Sequence, residues 1–320
     1  MDQAISKESK TTESPWRRRI QLFAPYIITA AVIYFVLQRV SIHEIQKELS
    51  KGDGTWLFPI ALGVMLISLI LVSAADTIVC RAFLKQGSYF QFLRAKAASS
   101  LLDIIGYAIG HGSYGFWIAR VTRTKAGRAG GALLYIMAAD LLAVTSIVSV
   151  ALLFVGSEMG GSTIRTTVPA VALYLLFSLI SGPWTFIPPK NKPAVLKPWV
   201  EIPRTLGFVQ VCLRMCQIFL FVSGTWLAAK TFGMPIPFSA AVTYIPVILL
   251  VTSLPINVAG FGVAQTAWLL LNDYASEPKI LAFQLLWQMS SIGAVALRGL
   301  PFVKRFVDET AGARKKPATE

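Results

Sequence analysis

The sequence predicts an all-α integral membrane protein: six transmembrane helices plus two re-entrant helical hairpins in an inverted-repeat arrangement. Three observations lead there. The chain of 320 residues is 55% hydrophobic and only 14% charged, a balance soluble domains rarely have. Its apolar residues gather in segments of about 20, the length needed to cross a bilayer. Its lysines and arginines crowd into alternate connections between those segments.

The basic clusters are Lys7/Lys10/Arg17/Arg18/Arg19, Arg81/Lys85/Arg94/Lys96, Arg120/Arg123/Lys125/Arg128, Lys190/Lys192/Lys197/Arg204 and Arg298/Lys304/Arg305/Arg314/Lys315/Lys316. Together they hold 23 of the 30 basic residues, while the other connections carry only Arg39, Lys47, Lys51, Arg165, Lys230 and Lys279. Cytoplasmic loops are the ones rich in Lys and Arg. The clusters therefore mark the cytoplasmic side, with basic tails at 1–19 and 306–320 both inside. The net charge of +14 does not point to nucleic acid, because the clusters sit in short connections flanking apolar runs. Anionic inner-leaflet headgroups are the expected partners.

Taken in order, spans are expected at about 20–38, 56–79, 131–155, 168–187, 206–229 and 280–298. Two apolar segments do not fit this scheme. Residues 97–119 are long enough to cross, but basic clusters flank both ends, and Gly106, Gly110, Gly112 and Gly115 loosen any helix at short intervals. The segment reads as a hairpin that enters and leaves on the cytoplasmic side, turning near His111, with Gly112 and Gly115 at the turn. Residues 238–271 are too long for one span and are interrupted by Pro255, Asn257, Gly260 and Gly262, with flanks poor in basic residues. This second segment reads as a hairpin entering from outside.

The order is then span, span, dip, span, twice over. Three crossings per half force the two halves, 20–157 and 165–305, into opposite orientations, as in many transporters. A short echo agrees: Phe90 and Phe238, and Gly112 and Gly260, are equally spaced. The seam falls in the outer loop at 156–167.

Charges within the membrane are expensive and are functional candidates by default. Asp140 lies nine residues into the third span and Arg214 eight into the fifth, at about the same depth of 12–14 Å. They form either an ion pair that fixes packing or two walls of a polar cavity. Asp103, in the first dip, either lines that cavity or caps a short helix. Arg120 ends the dip, where it meets a phosphate or snorkels to the interface. Gln265, in the second dip, is a neutral group that bonds backbone or headgroup. Asp76 reads as interfacial. No GxSxG, HExxH, P-loop or DxD motif is present, and His43 and His111 are the only histidines. Neither an enzyme nor a metal or other cofactor is expected.

The stretches GYAIGHGSYGFWIARVTR and KAGRAGGALLYIMAADLLAV resemble the first signature of the flippase-like membrane domain of lysylphosphatidylglycerol synthases and their stand-alone relatives. That signature is a glycine-rich turn, an arginine, a basic loop, then a span with an acidic residue. SLPINVAGFGVAQTAWLLL resembles the second, a proline, a G-x-G turn and a polar residue on the next helix. The likeness runs from about residue 20 to 305. It implies roles for Gly112, Gly115, Arg120, Asp140, Pro255, Gly260, Gly262 and Gln265. Members commonly carry glutamate where Gln265 stands, so this chain lacks one negative charge there. The resemblance implies a bacterial inner-membrane lipid translocase that moves a phospholipid, modified lipid or lipid-linked precursor between leaflets. Any lipid-modifying synthase would be a separate partner. The rival readings are a small-solute or ion transporter and a non-transporting accessory subunit.

Overall fold

The computed structural model describes residues 42–51, 53–154, 193–252 and 263–312. The expected spans at 20–38 and 168–187, the seam at 156–167, and Pro255, Asn257, Gly260 and Gly262 lie outside the described residues. Within them every regular element is helical: α1 (Ile42–Lys51), α2 (Leu57–Leu84), α3 (Tyr89–Ile105), α4 (Tyr107–Val121), α5 (Ala126–Phe154), α6 (Pro198–Glu201), α7 (Arg204–Thr231), α8 (Phe238–Thr252), α9 (Val263–Trp268) and α10 (Glu277–Gly312), with short 3₁₀ turns at Ala194–Leu196 and Leu269–Leu271. Four of these, α2, α5, α7 and α10, are long and apolar enough to cross a membrane. The chain is a multi-pass helical membrane protein. The end of the bundle carrying Leu84, Arg123, Arg204 and Lys304 is called the basic end below.

α2 and α7 form the central pair. Val64 lies against Gly224 near one end of their contact, and Asp76 meets Arg214 farther along. As numbers rise on α2 they fall on α7, so the two helices run antiparallel. Gly224 permits the close approach, as small residues do between membrane helices. Three further pairs of contacts are reciprocal. α3 packs on α10 as α8 packs on α5, α10 packs on α2 as α5 packs on α7, and α3 lies beside α2 as α8 lies beside α7.

α3 and α4 form a hairpin whose rungs give its direction. Phe92 meets Trp117 with ring centroids 5.6 Å apart, the Lys96 ammonium stands 5.0 Å from the centre of the Tyr114 ring, and His111 Nδ1 lies 3.2 Å from Asp103 Oδ1. At 1.5 Å per residue the arms are roughly 22–26 Å long, short of the ~30 Å hydrocarbon core. The bend is at Gly106, not near His111 as expected. Gly106 N–H closes α3 on Leu102 O at 3.1 Å, and Gly106 O opens α4 by accepting from Ile109 N–H at 2.9 Å. Gly112 and Gly115, expected at the turn, lie inside α4. At the hairpin's base, Ser88 N–H donates to Gln91 Oε1 at 2.9 Å and anchors the start of α3.

α8 begins beside the far end of α7, where Trp226 Nε1 donates to Ile236 O at 2.9 Å and Trp226 packs edge-on to Phe238. It runs toward the basic end and packs on α9. α10 outruns the expected span of 280–298, so Arg298 stands fourteen residues before its end. There Arg298 donates to the carbonyl of Met65. Its expected membership of a cytoplasmic cluster is corrected: the helix simply continues past it.

The buried apolar residues form two clusters. One, with Leu57, Trp268 and Phe283, fills the far end; the other, with Phe83, Trp117 and Ile136, fills the basic end. Charged side chains occupy the layer between them.

Candidate functional site

Arg214 of α7 is the centre of that layer. Its guanidinium pairs with Asp76 of α2 on one side and with Asp140 of α5, at 3.0 Å, on the other. The three acids and bases differ in exposure. The side chains of Asp76 and Arg214 are 0% and 3% exposed, whereas that of Asp140 is 27% exposed. The triad therefore has a dry end and a wet end. Buried charges survive in a membrane only when paired in this way.

The wet end opens into a cavity of about 710 Å³. Asp140, Arg214, Lys96, His111 and Gln217 supply its polar groups. Its walls are mostly aliphatic, with Val72 from the middle of α2, Leu134 and Leu141 from α5, and Leu249 and Leu250 from the end of α8, and Trp199 of α6 beside them. Leu134 and Leu141 are 47% and 41% exposed, so the α5 wall of the cavity is partly open. Both helix pairs reach this cavity, α4 through His111 five residues past its bend and α8 through its last turn. His111 is in turn tied to Asp103 across the first hairpin. An added Cβ at Gly110 would lie 2.6 Å from the backbone nitrogen of Asp103, so only glycine lets the arms close there.

The expected site residues divide. Asp140 and Arg214 come together, and Asp103 joins them through His111. Arg120 does not. It lies nine residues farther along α4, about 14 Å by helix rise, beside Phe116 and α10 in a separate cleft. Gln265 is buried on α9 and is not among the residues lining the cavity.

Two members of the site were not anticipated. Asp76, read as interfacial, is fully buried. α2 continues to Leu84, and counting inward from there puts Asp76 about 12 Å deep, level with its partner. Lys96, assigned to a cytoplasmic cluster, lies seven residues into α3 and lines the cavity, with its ammonium over the Tyr114 ring. The signal available for Lys96 was its position: Tyr89 to Ile105 is one uninterrupted helix-compatible run.

A family model described as "Lysylphosphatidylglycerol synthase TM region" matches residues 22–299. None of the curated proteins compared with the chain matches it.

Proposed function

We propose, from the premise that this chain belongs to the lysylphosphatidylglycerol synthase TM-region family, that it is a lipid translocase of the bacterial inner membrane, with both termini cytoplasmic. It moves a phospholipid, a modified lipid or a lipid-linked precursor between leaflets and does not itself modify the lipid. The observation that carries the reading is the cavity: charged groups from α3, α5 and α7 behind a partly exposed wall of α5 leucines, a wall that would meet lipid in a bilayer. A headgroup that must pass hydrocarbon needs polar partners along the way, while its acyl chains need an open side. Such a side also favours a lipid over a small solute, which needs a closed vestibule.

The reciprocal packing supports an inverted repeat. Exchanging α2 with α7, α3 with α8 and α5 with α10 preserves the contacts among these six helices. Helices related by a two-fold axis run antiparallel when that axis is perpendicular to them, and α2 and α7 do so. The axis then lies in the membrane plane, and each half sends one helical hairpin toward the cavity from its own side. Arms of roughly 22–26 Å, set against a ~30 Å hydrocarbon core, support a first hairpin that turns back before reaching the far side.

Two measurements test this. In a cysteine-free background, Gln86→Cys and Arg123→Cys are both labelled by an impermeant maleimide from the cytoplasmic side only; labelling on opposite faces would refute the re-entrant hairpin. In proteoliposomes, labelled phospholipid moves between leaflets faster than in empty vesicles, and Asp140→Asn slows it roughly tenfold or more, the scale of a lost bond to a charged group. Because Asp76 still holds Arg214 in that variant, its thermal midpoint stays close to the parent's. Unchanged transport in Asp140→Asn would favour an accessory role in which the triad only holds the bundle.

A further inference from the structure

We infer that the cleft between α4 and α10 at the basic end is a second lipid site, distinct from the cavity, that holds one anionic phospholipid. The cleft encloses about 280 Å³ and is lined by Phe116 and Arg120 of α4 and by Phe306, Val307, Thr310 and Ala311 of α10. Its chemistry is graded along the helices. Arg120 is in the last turn of α4, where a headgroup would sit. Phe116, one turn deeper, is 49% exposed, and Val307 and Leu300 of α10 are 53% and 64% exposed, apolar surface facing acyl chains. The Arg120 guanidinium lies 4.9 Å from the centre of the Phe116 ring, which orients it across the mouth.

The charge at that mouth is uncompensated. Among the described residues no carboxylate lies within ion-pair distance of Arg120. Glu309, the acid on the neighbouring turn of α10, is already engaged by Trp117 Nε1 at 2.9 Å and by Arg305 at 2.8 Å. Lys304, exposed one turn before Val307 on the same helical face, adds a second cation. Asp308, also exposed, stands a turn beyond Lys304 and weakens its field without cancelling Arg120. A planar guanidinium above an apolar groove, with the Lys304 ammonium able to snorkel toward it from one turn deeper, suits a phosphodiester with a lipid tail. The site bridges the first hairpin and the last helix, so its occupant would brace the hairpin's base.

The test is a titration of the purified full chain in neutral detergent, read as thermal midpoint and as lipid retained in mass spectra. Phosphatidylglycerol raises the midpoint saturably; phosphatidylcholine and inorganic phosphate do not. The double variant Arg120→Gln/Lys304→Gln binds about fivefold more weakly for each cation removed, while Arg120→Lys alone keeps most of the affinity. Lys230→Gln, at the far end of the bundle and outside both sites, leaves the titration unchanged, and no step of the assay requires transport, so this inference and the translocase reading fail separately. A double variant that titrates like the parent, an equal response to phosphatidylcholine or to free phosphate, or a titration weakened as much by Lys230→Gln would each overturn the second site.

Discussion

Arg214→Leu lowers the thermal midpoint of the purified protein by on the order of 10 °C, and little of it survives extraction as a monodisperse species. The substitution removes the cation that pairs with Asp76 among the described residues and leaves a carboxylate with no exposed side-chain surface in a medium of low dielectric. Breaking a buried ion pair by deleting one partner costs about 3–5 kcal/mol, and each kcal/mol moves the midpoint by a few degrees in a chain of this size. Removing the opposing charge as well reverses most of the loss. In Asp76→Asn/Arg214→Gln the buried site is neutral and can hydrogen-bond, so the midpoint returns to within a few degrees of the parent. Asp140 then keeps its partial access to the cavity and needs no internal partner. Transport does not return in the double variant, because the guanidinium that lines the cavity is gone. Size-exclusion thermal challenge and the proteoliposome assay, run on the same preparations, separate the two effects. A single Arg214→Leu variant as stable as the parent would mean that Asp76 is not held as a buried anion, and the account of the charged layer would fail.

The same layer illustrates which features are legible in a sequence. Asp140 and Arg214 could be paired because helix rise converts residue counts into depth, and each stands in an otherwise apolar run. Asp76 obeys the same arithmetic, yet Thr77, Cys80 and Arg81 follow it and read as the end of a span. In the structure α2 runs on for another eight residues, since Thr77 satisfies its hydroxyl on Ser73 O at 2.6 Å and Cys80 and Phe83 bury against the basic-end cluster. Helix length set by packing is not encoded in local polarity. Lys96 and Arg298 were misassigned for a related reason. A tally of basic residues by sequence neighbourhood assumes that neighbours share a depth, but along a helix five residues cover about 7 Å. Arg298 reaches further still on its long side chain to find the Met65 carbonyl.

The glycines of the first hairpin show the opposite limit. Their density is visible in the sequence, but the jobs they do are not. Gly106 forms the bend with φ of 177°, an extended conformation open to any residue. Gly110 serves a contact between arms, Gly115 packs on Leu133 Cδ2, and Gly112 faces open space. Only the partner helix distinguishes these roles, and a turn rule based on composition selects the wrong ones.

That distinction yields a contrast within one helix turn. Gly110→Val separates the arms of the first hairpin. The new side chain would start where Asp103's backbone nitrogen and carboxylate already stand, and backbone cannot swing aside as a flexible side chain can. Overpacking of this kind costs about 1–3 kcal/mol when the core yields; here the arm itself must move, which pulls Asp103 from His111 and shifts His111 in the cavity wall. Transport falls at least tenfold, and hydrogen exchange rises along both arms. Gly112→Ala, two residues away on the exposed side of the same helix, does the reverse: its methyl meets nothing within 4 Å, and replacing glycine inside a helix stabilises by roughly 0.5–1 kcal/mol. Its transport rate stays at the parental level and its midpoint rises by a degree or more. If the two variants behaved alike, the closure of the hairpin at Asp103, Gly110 and His111 would not be what positions the cavity's polar wall.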